Sequence, residues 1–320
     1  MIIKFLNLKG KEFFAGAIMN NGAEAFLCGN SVKLFDCNNQ KYLQTVSKTN
    51  NANVVIAHNQ RKLCLINASK NDHVTIKELD FFNSQWIEKK SITIKGSNID
   101  GGRPQYSNDD QNLIFSTQAN NLWRYNCDSE SCEKIWNTRF SDQIMAFDVY
   151  NDTVLISLGT SDNPNHSGFD VLKPDGSIIR SLRYDQKEQS VVGQIIRAKW
   201  LNQEEIIIVF QLSINSQYDI IQRINWRKTK DLLQISESIK LYRPSRTLFD
   251  FQISPNRQLI AFVWLNWNKQ GALYHLGVYS FTDLALLYET DIEMFSSMIF
   301  SENSHYLLVC SLGSYFIINS

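Results

Sequence analysis

The sequence predicts an all-β chain: a seven-bladed β-propeller of four-stranded antiparallel blades, its N-terminal strand closing the last blade. Three observations carry this expectation. A phrase of apolar strand, tight polar turn and apolar strand recurs along the whole chain. Its turns lie roughly 40 to 50 residues apart, the spacing of a four-strand blade. Long amphipathic helical periodicity is absent.

The recurring phrase supplies the first two strands of each unit. It reads AGAIMNNGAEAFLC (15–28), NVVIAHNQRKLCLI (53–66), PQYSNDDQNLIFS (104–116), FDVYNDTVLIS (147–157), AKWLNQEEIIIV (198–209), FQISPNRQLIAF (251–262) and SMIFSENSHYLLV (297–309). Asn and Asp tolerate left-handed backbone angles and accept bonds from nearby amides, so they suit a turn between antiparallel strands.

Third strands follow at SVKLFD (31–36), HVTIKEL (73–79), NLWRYN (121–126), FDVLK (169–173), YDIIQRINW (218–226) and LYHLGVYS (273–280). Fourth strands follow at YLQTVS (42–47), WIEKKSITIK (86–95), CEKIWNTRF (132–140), SIIRSLRY (177–184), LLQISESI (232–239) and LALLYET (284–290). The hairpin KPDGS (173–177) is a turn signal of its own. The seventh unit reads SSMIF, YLLVCS, SYFIINS and is one strand short, while IIKFLNL (2–8) stands before the first unit. Pairing that strand with the last unit leaves no open end to the array. The expected blades are 11–47, 52–95, 102–140, 144–185, 194–239, 248–291 and 295–320 plus 2–8, within a single domain, 1–320.

ISPNRQLIAF, FSENSHYLLVCS and YSNDDQNLIFST resemble the inner-strand turn of the WD40-like propeller superfamily. That family's Trp-Asp at the end of the third strand has equivalents in Phe35-Asp36, Tyr125-Asn126, Asn225-Trp226 and Tyr279-Ser280. Its opening Gly-His is missing throughout, so the resemblance is to a divergent member. It implies a protein–protein interaction scaffold whose partner is another protein.

Composition excludes several alternatives. Lysine plus arginine, 32, equals aspartate plus glutamate, 32. This balance leaves no electrostatic footprint for nucleic acid or an anionic membrane. No run approaches the length of a membrane span, and the first residues lack the core of a signal peptide. A cytoplasmic protein is therefore expected. Cys28, Cys64 and Cys310 lie in apolar runs as buried thiols. Cys127 and Cys132 flank a hairpin turn and are expected to stay reduced. No Cys/His cluster has zinc spacing, so no metal or other cofactor is expected.

No nucleophile elbow, zinc-protease helix or phosphate loop occurs, and the chain is read as non-catalytic. His58 and His305 are assigned to one shared position of the recurring turn. His73 and His275 are assigned to strands. His166 lies in the polar loop GTSDNPNHSG (159–168), where Asp162, Asn163 and His166 form a candidate ligand loop. That loop supports the alternative function, an enzyme or small-ligand propeller with its site at the central channel mouth. Loop lengths are unequal: those after the second and fourth strands are long, and the remaining turns are short. Long loops on a rigid scaffold carry binding residues. LYRPSRT (241–247) and the loop LNWNKQG (265–271) with the Trp264 before it therefore nominate Tyr242, Arg243, Arg246, Trp264, Trp267 and Lys269 as partner-binding residues, since Trp, Tyr and Arg dominate interface hot spots.

Overall fold

The computed structural model describes residues 2–7, 15–50, 52–69, 73–95, 99, 103–118, 120–138, 143–159, 168–183, 193–212, 218–229, 238–242, 247–268, 271–293, 295–311 and 314–319. The strands in chain order are β1 (Ile2–Asn7), β2 (Ala15–Ile18), β3 (Glu24–Cys28), β4 (Val32–Asp36), β5 (Lys41–Ser47), β6 (Asn53–Ile56), β7 (Lys62–Ser69), β8 (His73–Phe82) and β9 (Gln85–Lys95). There follow β10 (Gln105–Tyr106), β11 (Asn112–Thr117), β12 (Asn121–Asn126), β13 (Cys132–Asn137), β14 (Gln143–Tyr150), β15 (Thr153–Gly159), β16 (Gly168–Leu172), β17 (Ile178–Arg183), β18 (Gly193–Trp200), β19 (Glu205–Leu212), β20 (Tyr218–Asn225) and β21 (Ser238–Tyr242). The last are β22 (Thr247–Ile253), β23 (Leu259–Asn268), β24 (Gly271–Ser280), β25 (Leu286–Glu293), β26 (Phe295–Phe300), β27 (Tyr306–Ser311) and β28 (Ser314–Asn319).

Among the described residues these strands form seven four-stranded sheets, six of them built from four consecutive strands. The seventh has the order β1-β28-β27-β26, and β1 pairs antiparallel with β28 from Ile2↔Asn319 to Asn7↔Ser314. The chain divides into two compact units. The first comprises Met1–Ala68, Thr75–Thr93 and Arg246–Ser320, and the second Ser69–Val74 and Ile94–Ser245.

Burial explains why the second strand of each sheet reads as a solid apolar run. In the first unit Phe26, Leu34 and Val32 pack with Val54, Leu63, Leu65 and Trp86 of the next sheet. On the other side Ile18, Leu27 and Phe35 pack with Leu308 and Cys310. Strand β3 is thus covered on both faces and buried at four consecutive positions, Ala25 to Cys28. Strands covered on both faces lose the period-two alternation. The outermost strand β5 keeps it, since every other residue faces solvent. The second unit repeats the arrangement. Ile114 and Leu122 pack with Ile144, Phe147 and Val154, and Leu155, Phe169 and Val171 pack with Trp200, Ile206 and Trp226. Each such buried side chain contributes about 1.5–3 kcal/mol.

The recurring polar turn is one hydrogen-bonded device. In SPNR the Ser254 hydroxyl donates to Asn256 Oδ1 (2.8 Å) and accepts from Leu259 N (2.9 Å). Arg257 N donates to Ser254 O (2.8 Å), and Arg257 itself is left-handed at φ 59°. Ser301, Asn303 and Ser304 repeat the pattern, as do Ser107, Asp109 and Asp110. Gly22 and Gln60 occupy the same left-handed position after Asn21 and Asn59. At Gly22 a Cβ would also strike the Tyr306 ring at 2.2 Å, so glycine is required there.

Two expectations are corrected. His58 and His305 do lie in the recurring turn but not at one position: His58 precedes Asn59, whereas His305 follows the left-handed Ser304. Of the expected fourth strand of the fifth unit, 232–239, residues 232–237 lie outside the described residues; the strand described there is Ser238–Tyr242. It pairs with β20 from Gln222↔Ser238 to Tyr218↔Tyr242. The expected loop 265–271 is mostly strand. β23 continues to Asn268, paired with Gly271, and only 269–270 lie between the strands.

Candidate partner-binding surface

The β8/β9 hairpin of the first unit ends in Phe81-Phe82-Asn83-Ser84. Asn83 and Ser84 both take left-handed angles, φ 49° and 62°, the pair that matches the twist of a two-residue hairpin. Successive strand residues face opposite ways, so two adjacent phenylalanines cannot share one covered face. Phe81 is 44% exposed, Phe82 62% and the neighbouring Ile87 48%.

This apolar tip is firmly mounted. Phe81 N donates to Arg61 O (2.8 Å), tying the hairpin to the turn before β7. The Phe81 ring lies 5.3 Å from Trp86, which is 3% exposed and meets Phe26 edge-on at 5.2 Å. Gln44 of the adjacent sheet clasps Trp86 twice: Nε2 donates to Trp86 O (2.9 Å), and Oε1 accepts from Trp86 N (3.1 Å). The tip opens onto a groove of about 550 Å³ lined by Asn59, Arg61, Lys62, Asp80, Lys89 and the three apolar residues. Lys89 pairs with Asp80 at 3.2 Å, and Lys77 pairs with Glu88 at 3.1 Å.

The second unit has a smaller pocket of about 340 Å³ lined by Asn151, Thr153, Ile179, Arg180, Gln203, Trp226 and Arg227. Its guanidinium groups have structural duties. Arg180 donates to the carbonyls of Arg227 and Thr229, and Arg227 lies 5.1 Å over the Trp226 ring.

The residues nominated from the sequence fare differently. Trp264 is 3% exposed, stacked on Phe262 at 5.4 Å and edge-on to Tyr279 at 6.1 Å. Its ring is blade packing rather than free surface, which corrects its assignment to a partner-binding loop. Trp267 stands on β23 opposite Ala272, and Tyr242 on β21 opposite Tyr218. Arg243, Arg246, Lys269, Asp162, Asn163 and His166 lie outside the described residues. Phe81, Phe82, Ile87, Arg61, Lys62 and Lys89 were not nominated. The signal for the three apolar residues was DFFNSQWI, where a doubled Phe beside a turn breaks the alternation; Arg61, Lys62 and Lys89 carry no such signal.

Among the described residues no group of three or more His, Cys, Asp or Glu side chains is placed to hold a metal ion. His275 lies between two carboxylates, Nδ1 2.8 Å from Asp291 and Nε2 3.3 Å from Glu289. The cysteines are free thiols. Burial pushes the Cys28 thiol up to about 11, and burial together with Glu133 pushes Cys132 up to about 12, so neither is a thiolate nucleophile near neutral pH.

No protein-family model matches the sequence, and no curated protein matches it. Solved structures do. The chain superimposes on the structure of U3-55K with a TM-score of 0.69, covering 99% of this chain and 98% of that one at 13% identity. It superimposes on the WD40 repeats of RRP9 with a TM-score of 0.67, covering 99% and 97%, again at 13% identity. The fold is that of a WD40-like β-propeller of four-stranded antiparallel sheets.

Proposed function

We propose that this chain is a non-catalytic protein–protein interaction scaffold, a single seven-bladed propeller over 1–320 in which β1 closes the last blade. The observation that carries the reading is the rigid, exposed apolar tip of Phe81, Phe82 and Ile87. Contiguous apolar surface with a polar rim marks a protein contact site. Arg243, Arg246, Trp267, Tyr242 and Lys269 are proposed as a second contact region on the long-loop face. A reducing cytoplasm suits the free thiols.

Quantitative affinity capture from the native source tests the reading. Wild type is compared with Phe82→Ala/Ile87→Ala and with Arg243→Ala/Arg246→Ala/Trp267→Ala. A defined protein retained by wild type and depleted by either variant is the expected result. Identical capture by all three, together with turnover or tight binding of a small molecule, would replace the scaffold by the enzyme or ligand-receptor alternative.

A further inference from the structure

We infer that the groove at the β8/β9 tip docks an acidic segment of a partner protein: one large apolar side chain seated on Phe81, Phe82 and Ile87, flanked by carboxylates. The inference rests on the scaffold reading and adds the chemistry of the partner.

Charge decides the class. Three cations, Arg61, Lys62 and Lys89, line the groove against a single acid, Asp80. Asp80 is matched by Lys89 at 3.2 Å, which leaves Arg61 and Lys62 with no acidic partner among the described residues. The two cations stand at the start of β7, beside the turn that holds Phe81 N through Arg61 O. The groove thus offers an apolar floor with a positive margin on one side. A basic segment would meet uncompensated like charge, whereas an acidic one gains both steering and register.

Rigidity favours docking of a short segment. The floor is set by the left-handed pair Asn83-Ser84, by the Phe81–Trp86 contact and by the Gln44 clasp on Trp86. Little of the groove has to be ordered on binding, which lowers the entropic cost on this chain's side. The exposed rings supply the large, stiff area that anchors hot spots.

The test is selection of a phage-displayed random peptide library on the full chain. The expected consensus is an aromatic or large aliphatic residue flanked by Asp or Glu. Selected peptides should lose about tenfold or more in affinity on Phe82→Ala and on Arg61→Glu, the loss of one well-buried contact. The double variant Arg61→Glu/Lys62→Glu should accept the lysine-flanked version of the same peptide. Phe82 is mostly exposed, so its removal should leave melting unchanged; Arg61→Glu, which spares the apolar floor, gives a second reading if it does not. A basic consensus overturns the inference, as does binding that ignores both variants. So does competition by phosphatidylserine vesicles irrespective of Phe82, which would make the patch a lipid contact. A native protein captured by the chain but indifferent to these variants would overturn the acidic docking site and leave the scaffold reading intact. Capture of nothing would remove both.

Discussion

Asp152 sits at a turn with a left-handed backbone, φ 61°, and its carboxyl is harder to ionise than usual. Partial desolvation at the turn is the main cause, although the residue as a whole is exposed, and the charge of Asp109 adds to it. A raised folded pKa means that the ionised form costs the folded state stability at neutral pH, and that this cost vanishes below the unfolded pKa. Asn tolerates the same backbone angle without the charge. Asp152→Asn should therefore raise the melting temperature near neutral pH, by about 0.2–1 kcal/mol in stability after solvent screening. Melts at about pH 3, below the unfolded carboxylate range, should show no gain. Other carboxylates have the opposite sign. Glu205 is held low chiefly by hydrogen bonds from Arg223, at 3.0 and 2.5 Å, and Asp36 is held low by the Asn39 and Asn38 donors of its turn. Their stabilisation is complete above the unfolded values and is lost as pH falls through the lower folded values. A thermal scan from neutral to acid should thus show an acid limb beginning at about pH 4. At this scale the sequence was readable in type but not in position. SPNR and SENS announced a turn, yet only the bonds distinguish the residue before the Asx from the one after the left-handed site, which is how His58 and His305 came to be equated.

At the scale of elements, β10 is only two residues long, and a side chain compensates for the missing ladder. Gln105 Nε2 donates to Phe147 O (3.2 Å), and Val149 N donates to Gln105 Oε1 (3.1 Å), so one amide binds the neighbouring strand β14 as a peptide group would. Gln44 does the same to Trp86 in the first unit. Gln105→Leu leaves both backbone groups without this partner and should cost about 1–3 kcal/mol in chemical denaturation. Gln105→Glu keeps the acceptor and loses the donor, so its cost should be intermediate. A neutral result for Gln105→Leu would mean that water replaces the clasp. Most strands were legible because burial on both faces prints a solid apolar run, as in EAFLC or EIIIVF. The misread one was overlong. β23 carried polar Asn266 and Asn268 that read as loop although both pair with β24. The candidate surface was less legible still. WIEKKSITIK reads only as a fourth strand, and nothing in the sequence places Arg61 beside Phe81 until the hydrogen bond between them is seen.

At the scale of the whole molecule, the sheet β1-β28-β27-β26 joins residues from the two ends of the sequence, Ile2 through Asn7 with Ser314 through Asn319. Six register pairs link the strands, and without β1 the backbone edge of β28 would face solvent. An unpaired edge is a template for other chains. Deleting residues 1–9 should therefore lower the melting temperature and raise aggregation, both measured against the full chain at matched concentration. The loss should be repaired in trans. A synthetic IIKFLNLK peptide adds to an open edge by main-chain pairing, so it should bind the truncated protein and restore part of its melting temperature, while a scrambled peptide should not. The full-length chain, whose β28 edge is already occupied, should not bind the peptide. If the truncated protein melts like the full chain and ignores the peptide, β1 contributes no closure, and a propeller held shut by its first strand is the wrong account of this molecule.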